Sequence, residues 1–353
     1  MRTADVPRKQ KELCQVSEGK DYSKFKGNET GRFRDEKDLI LSLVVPVYNE
    51  AETVSLFLDR VDGVLSGISN IKFEIVFVND GSTDETLERL LTLQKADSRI
   101  RIVDLSRNFG KEAALTAGIQ AVTGRIVVPI DVDLQDPPEL IVEMIEKWYE
   151  GYDVVLGRRL NRDSDSFCKR LSASWYYRIH NKIADPHIHE NVGDFRLMDH
   201  AVIDALRSLP ESRRFMKGLF AWVGFKTTFV DYTRPKRSAG SSKFNGWRLW
   251  NFALEGITSF SIAPLRLWGY LGCIVALISM LYGVFIILCV MFLGRSVPGY
   301  ASILVAVVFL GGVQLIGIGV IGEYLGRTYL ESKRRPVYVV RSVYEPEGHP
   351  NES

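Results

Sequence analysis

Six residues, Asp131-Val132-Asp133-Leu134-Gln135-Asp136, follow directly on the apolar run Ile126–Ile130. In an extended segment, side chains at i and i+2 project the same way. Asp131 and Asp133 can then address one site, and Gln135 can continue the row. Hard oxygen donors at that spacing suit Mg2+ or Mn2+ held partly by a substrate's phosphates. The alternative is a turn that starts a helix, with Asp136 as N-cap before Pro137-Pro138. That accounts for Asp136 but for neither Asp131 nor Asp133. Two further polar clusters end apolar runs: Pro46-Val47-Tyr48-Asn49-Glu50 and Asn79-Asp80-Gly81-Ser82-Thr83-Asp84. Ser82 and Glu85 have capping-box spacing, which leaves Asp80 free to accept hydrogen bonds from a base or a ribose. Arg107-Asn108-Phe109-Gly110-Lys111 opens a helix, where exposed N–H groups and Lys111 favour an anion such as a diphosphate.

Elements of a particular kind must carry these clusters. Leu39–Val47 is nearly continuous in apolar residues, as in a strand buried on both faces. The pattern predicts further strands at Phe73–Val78, Ile102–Leu105, Ile126–Ile130 and Val154–Leu156. Helices are predicted at about Glu50–Leu65, Asp84–Leu93, Lys111–Val122 and Pro138–Glu150. Strand and helix alternate with short connections, which argues for a mostly parallel α/β sheet binding its ligand outside the strands' carboxyl ends.

The 353 residues carry a net charge of +2, so the chain is no polycation and nucleic acid is not the expected partner. None of the four cysteines (Cys14, Cys168, Cys273, Cys289) forms a CxxC pair, which argues against a zinc ribbon or a disulfide scaffold. Cys168 reads as inert, and His187 and His189 as parts of a surface loop. The charge is unevenly spread. Residues 267–293 and 296–322 contain no charged side chain, 27 residues in each case. About 20 suffice to cross a bilayer as a helix. Two spans, about 267–293 and 300–322, are therefore expected; buried core helices are the alternative. Between Arg207 and Arg248 ten basic residues face two acidic ones, with aromatic residues interleaved, as at a lipid interface. A polar N-terminus argues against a cleavable signal peptide. The expected organisation is a mobile polar tail (1–38), a catalytic domain (39–206), a juxtamembrane segment (207–265), a membrane hairpin (266–322) and a C-terminal tail (323–353). The Lys and Arg residues on both flanks of the hairpin place the catalytic domain and both termini in the cytoplasm.

PVYNE, NDGSTD, NFGK and DVDLQDPP, in this order, resemble glycosyltransferase family 2, whose catalytic domain has the GT-A nucleotide-sugar fold. GDFRLMD at Gly193–Asp199, RFMKGLFAWVGF at Arg214–Phe225, RSAGSSKF at Arg237–Phe244 and GEYLGRTYLESKRRP at Gly322–Pro336 narrow the resemblance. They point to the polyprenyl-phosphate glycosyltransferases, on the branch of the bactoprenol glucosyltransferases of O-antigen glucosylation. The resemblance implies that Pro46, Tyr48, Asn49, Glu50, Asp80, Lys111 and Asp131 hold the nucleotide sugar. It implies that Asp131, Asp133 and Gln135 form the metal–diphosphate site, with Asp133 and Asp194 catalytic. Arg158 or Arg159, Arg170, Ser174, Arg196, Arg237 and Lys243 would grip the acceptor phosphate and the diphosphates. The implied substrates are UDP-glucose and undecaprenyl phosphate, with Mg2+ or Mn2+ as cofactor, the bacterial inner membrane as location, and a homo-oligomer, a tetramer, as assembly.

A lipid phosphate is already a nucleophile near neutral pH, its second pKa being about 6. It needs alignment with C1 of the sugar more than a base. Asp194 then either takes a residual proton and orients the acceptor, or forms a structural ion pair with a neighbouring Arg. Other readings are a different nucleotide sugar (GDP-mannose or a UDP-aminoarabinose derivative), a processive synthase, a lipid-linked sugar transporter and an inactive nucleotide-sugar sensor. Two spans are few for a secretion channel, and neither carries the ionisable groups that line transport paths.

Overall fold

Leu39–Val47 becomes strand β1 with the bounds expected of it, its residues alternating little between inside and outside because both faces are covered. The computed structural model describes residues 39–68, 71–160, 191–211, 214–233, 261–293 and 299–346. After β1 come α1 (Thr53–Leu65), β2 (Ile71–Asn79), α2 (Thr86–Ala96), β3 (Ile100–Leu105), α3 (Lys111–Ala121), β4 (Ile126–Pro129), α4 (Leu140–Tyr149) and β5 (Val154–Arg159). They are followed by β6 (Val192–Asp199), α5 (His200–Ser208), α6 (Met216–Trp222), β7 (Thr227–Tyr232) and, far along the chain, β8 (Val340–Tyr344).

These eight strands form one sheet in the order β7-β5-β6-β4-β1-β2-β3-β8. It is mixed: four of its seven pairings are parallel, as expected, and three are antiparallel. β1 pairs in parallel with β2 and β4, β2 with β3, and β5 with β7. β6 runs antiparallel to β4 and β5, and β8 antiparallel to β3. The fold is a GT-A-like α/β domain with flanking helices. The described residues 207–211, 214–233 and 336–346 belong to the same compact unit as 39–68 and 71–160. Arg207 and Arg214, two of the basic residues between Arg207 and Arg248, donate to backbone carbonyls at helix ends. Arg207 reaches Val122 O at 2.7 Å and Arg214 reaches Leu209 O at 2.6 Å. They neutralise carbonyl dipoles left over where helices stop.

Two helices show how the faces are filled. α4 buries Leu140, Ile141, Met144, Ile145 and Trp148, one stripe at helical spacing. The Trp148 indole donates to Asp199 Oδ2 at 2.9 Å, while Asp199 Oδ1 caps α5 through Ala201 N. α3 is built of small residues because it lies close on β1 and β2. A methyl group at Gly118 would overlap Val44 Cγ1 and come within 3.1 Å of Val78 Cγ2. In an open helix Gly→Ala stabilises. Here Gly118→Ala is expected to destabilise by about 1–3 kcal/mol through overpacking, read as a lowered Tm by circular dichroism.

The second unit holds α7 (Ala263–Leu293) and α8 (Tyr300–Ser332). Both are long and apolar enough to cross a membrane, over Ala263–Phe285 and Phe309–Ser332. Leu267, Ile274, Leu277, Phe285, Leu315 and Ile318 are among their exposed side chains. α8 continues beyond its uncharged stretch, and Glu323 and Arg327 form an i,i+4 pair at 2.9 Å inside it.

Candidate active site

Four chain segments meet beyond the carboxyl ends of β1, β2 and β4. A cleft of about 320 Å3 opens there. β1 delivers Pro46, Tyr48 and Glu50, β2 delivers Asp80, α3 begins with Lys111, and the turn after β4 delivers Asp131 and Asp133. Six of the seven residues expected to hold a nucleotide sugar, all but Asn49, thus line one cleft together with Asp133. Val47, Val132, Asn108, Gly110 and Ala114 complete its wall. Of these, Asn108 and Gly110 lie inside a segment the sequence marks as anion-binding, and Val132 lies between the two aspartates. Ala114, one turn after Lys111 on α3, is marked only by its small size.

Asn49 works from outside the wall. It adopts φ 55°, donates its N–H to Ser82 Oγ at 3.0 Å and accepts from Thr83 N at 2.9 Å. It therefore ties the end of β1 to the turn after β2. Gly81, at φ 62°, is required there: a Cβ would stand 2.6 Å from Asn108 N. The Ser82–Glu85 capping box does not form. Asp84 instead accepts from Thr86 N at 3.0 Å, and Ser82 Oγ serves Asn49.

Asp80 is not free, as the sequence suggested. Its two oxygens accept from Phe109 N at 2.7 Å and Gly110 N at 2.9 Å. The first anion at the start of α3 is thus the protein's own carboxylate. Burial pushes the Asp80 carboxyl up despite these bonds and the nearby Arg107.

The turn after β4 departs from the extended row. Leu134 has φ 54°, Gln135 N donates to Asp133 Oδ1 at 3.1 Å, and the Gln135 side chain is buried outside the cleft wall. Of the expected trio, Asp131 and Asp133 line the cleft and Gln135 does not. Asp136 is no N-cap. It is buried and accepts from the Tyr232 hydroxyl and from Arg159 at 3.4 Å; Glu139 stands at the start of α4.

Lys111 is the electrostatic centre. Its Nζ lies 2.7 Å from Asp131 Oδ1 and 2.8 Å from Asp194 Oδ2. Burial alone would lower the ammonium's pKa; Asp194 and Asp131 outweigh it and hold it above the usual lysine range. Asp131 is pushed up by burial, which Lys111 offsets only in part. Asp194 goes the other way: burial opposes ionisation, but Lys111, Lys217 and Arg196 together hold its carboxyl below the usual range. Its Oδ1 is buried without a hydrogen-bond partner among the described residues. The ion pair of Asp194 is with Lys111, not with the neighbouring arginine. Glu112, beside Lys111, accepts from Met216 N at 2.9 Å. Burial, helped by the charge of Asp194, raises its carboxyl to about 7. Sequence reasoning missed Glu112, and it read Lys217 only as part of the basic belt.

The expected acceptor-phosphate residues fare differently. Arg158 is engaged bidentately by Asp231 at 2.6 and 2.8 Å and stacks on Phe229. Arg159 donates to the Tyr232 hydroxyl at 2.9 Å. Arg196 is buried over Phe220 and donates to Gly193 O at 2.7 Å, with its pKa lowered by burial to about 10. None of the three lines the cleft. Arg170, Ser174, Arg237 and Lys243 lie outside the described residues, as do His187, His189 and residues 1–38.

Known proteins are similar to this chain. Residues 42–207 match the profile of glycosyl transferase family 2. The chain is 51% identical over 303 residues to a prophage bactoprenol glucosyl transferase homolog of Escherichia coli K12, covering 86% of this chain and 99% of the relative. It is 53% identical over 302 residues to the bactoprenol glucosyl transferase of Shigella phage SfX, covering 86% and 99%. Glucosyl-3-phosphoglycerate synthase from Mycobacterium tuberculosis aligns over 62% of this chain and 78% of its own, at 18% identity and TM-score 0.44.

Proposed function

The chain belongs to glycosyl transferase family 2, and from that premise we propose that it transfers glucose from UDP-glucose to undecaprenyl phosphate at the cytoplasmic face of a bacterial inner membrane. One observation carries this reading: Lys111, Asp131 and Asp133 converge in a strand-end cleft, with Asp194 against Lys111. The relatives named as bactoprenol glucosyl transferases support the choice of sugar and acceptor, and they match almost end to end.

Tyr48, Glu50 and Asp80 border the nucleotide's place, and Asn49 holds two of its walls together. The acceptor's phosphate oxygen attacks C1 of the glucose. The C1–oxygen bond to the diphosphate breaks, and its electron pair leaves on UDP. A single in-line displacement inverts C1, so an α-linked donor gives a β-linked lipid product. Lys111 neutralises charge on the departing diphosphate. The hard carboxylates Asp131 and Asp133 fit Mg2+ or Mn2+, which suits two protein oxygens completed by phosphates and water. When bound, that ion supplies further neutralisation of the leaving group. Gln135 is left to shape the turn. Arg170, Ser174, Arg237 and Lys243 are assigned to the acceptor and the diphosphates.

The apolar, exposed surfaces of α7 and α8 support a two-span membrane hairpin. The cationic flanks support a cytoplasmic location for the catalytic domain and both termini. A homo-oligomer, a tetramer, is the proposed assembly.

Detergent-purified protein incubated with undecaprenyl phosphate, Mg2+ and radiolabelled UDP-glucose is expected to yield extractable lipid-linked glucose. Asp133→Ala is expected to reduce it by about 10^2-fold or more. Product with another nucleotide sugar in place of UDP-glucose would keep the mechanism and change the donor. UDP binding without product from any donor would favour a sensor.

A further inference from the structure

Asp104 is the last charged residue of β3 and is fully buried, 0% exposed. A carboxylate so placed must find partners or be strongly destabilising. One oxygen accepts from Asn79 Nδ2 at 2.7 Å and the other from Arg341 Nη1 at 3.1 Å. Arg341 lies on β8, 237 residues later, on the strand that returns to the catalytic sheet after α8. The other arm of its guanidinium donates to Ser106 O at 2.7 Å.

Each of these partners is the root of a cleft segment. Asn79 ends β2, and its Oδ1 accepts from Ser82 N at 3.3 Å, inside the turn that carries Asp80. Ser82 in turn accepts from Asn49 N. Ser106 is the first residue after β3, directly before Arg107–Lys111, and Ser106 N is bonded to Val339 O at 2.9 Å. The fork of one arginine therefore holds the bases of two segments whose tips, Asp80 and Lys111, line the cleft.

We propose that Arg341 is a positioning residue for nucleotide binding: through Asp104 and Ser106 it sets the Asn79–Thr83 turn and the Arg107–Lys111 segment, so that the nucleotide site is completed by the strand that follows the second long helix. The nucleotide-sugar role of the cleft is the premise. The Arg341 side chain is 54% exposed, so its value lies in the buried carboxylate that it compensates and in a fork that reaches Asp104 and Ser106 O at once, which a planar guanidinium supplies and an ammonium does not.

The test is UDP binding by calorimetry to full-length protein in detergent, with Tm measured alongside. The wild type is expected to bind UDP. If it does not, the functional reading fails and the role of Arg341 in it fails too. Arg341→Ala is expected to bind UDP at least about tenfold more weakly, and Arg341→Lys to recover part of the loss. Asp104→Asn combined with Arg341→Ala removes the uncompensated charge and is expected to bind more tightly than Arg341→Ala alone. Wild-type affinity in Arg341→Ala would overturn the inference. So would a double variant no better than the single one, or loss of folding in both, since Arg341 would then serve the fold alone.

Discussion

Lys111→Met is expected to lower sugar transfer by about 10^2–10^3-fold, mainly in kcat, while the protein still folds. The magnitude is that of removing one preorganised charge-stabilising donor from an enclosed site. Lys111 is the cation that touches both Asp131 and Asp194 at the cleft. Its ammonium is held above the ordinary lysine range, first against burial and then by those two carboxylates, so it stays charged at every working pH. A diphosphate that gains negative charge as C1 departs meets that fixed charge without any reorganisation. Methionine keeps the length and the packing but leaves two half-buried carboxylates close together without a cation, which also repels the leaving group. Lys111→Arg is expected to restore only a fraction, because the guanidinium fork is wider than an ammonium. The check is single-turnover transfer from radiolabelled UDP-glucose, with UDP affinity measured separately. An unchanged kcat in Lys111→Met would remove Lys111 from the leaving-group role.

Much of this site is legible in sequence because its parts stand at the ends of buried strands. β1, buried on both faces, announces itself as a continuous apolar run, and the polar clusters after β1, β2 and β4 must emerge at one edge of the sheet. What the sequence conceals is hydrogen bonding across long separations. Asp80 looks available to a ligand because nothing local reveals that Phe109 and Gly110 will point their N–H groups at it. Gln135 looks like a third ligand because the i+2 rule assumes extended backbone, whereas Leu134 turns at φ 54°. β6 is hidden for a different reason. Val192–Asp199 carries Asp194 and Arg196, charged residues that depress strand propensity, and both are tolerated because Lys111 pairs with the first and backbone carbonyls with the second. β8 shows only as a short apolar stretch after the long helices, and its partner β3 lies at the other end of the chain. Arg207 and Arg214 display their charge but not the helix-end carbonyls that absorb it.

Asp194→Asn is expected to reduce transfer on the order of a hundredfold, the cost of about 1 Å of misplacement in a reacting group, and to leave the shape of the pH profile unchanged. The carboxyl of Asp194 is opposed by burial but held below the usual range by Lys111, Lys217 and Arg196. A base so stabilised in its ionised form is a poor proton acceptor near neutral pH. The acceptor phosphate, with a second pKa of about 6, loses its own proton to water across most of the working range. Asp194 therefore acts on Lys111, fixing the ammonium between two carboxylates; the asparagine keeps one oxygen for that contact but not the charge. The acid limb of the kcat/KM profile is then a property of the lipid phosphate. It is expected in wild type and in Asp194→Asn alike, and to move to lower pH in both when the acceptor is replaced by a fluorinated phosphonate of lower second pKa. If the limb instead disappeared in Asp194→Asn and ignored the change of acceptor, Asp194 would be the base that removes the proton, and its stabilisation by Lys111 would have to be released when the substrates bind.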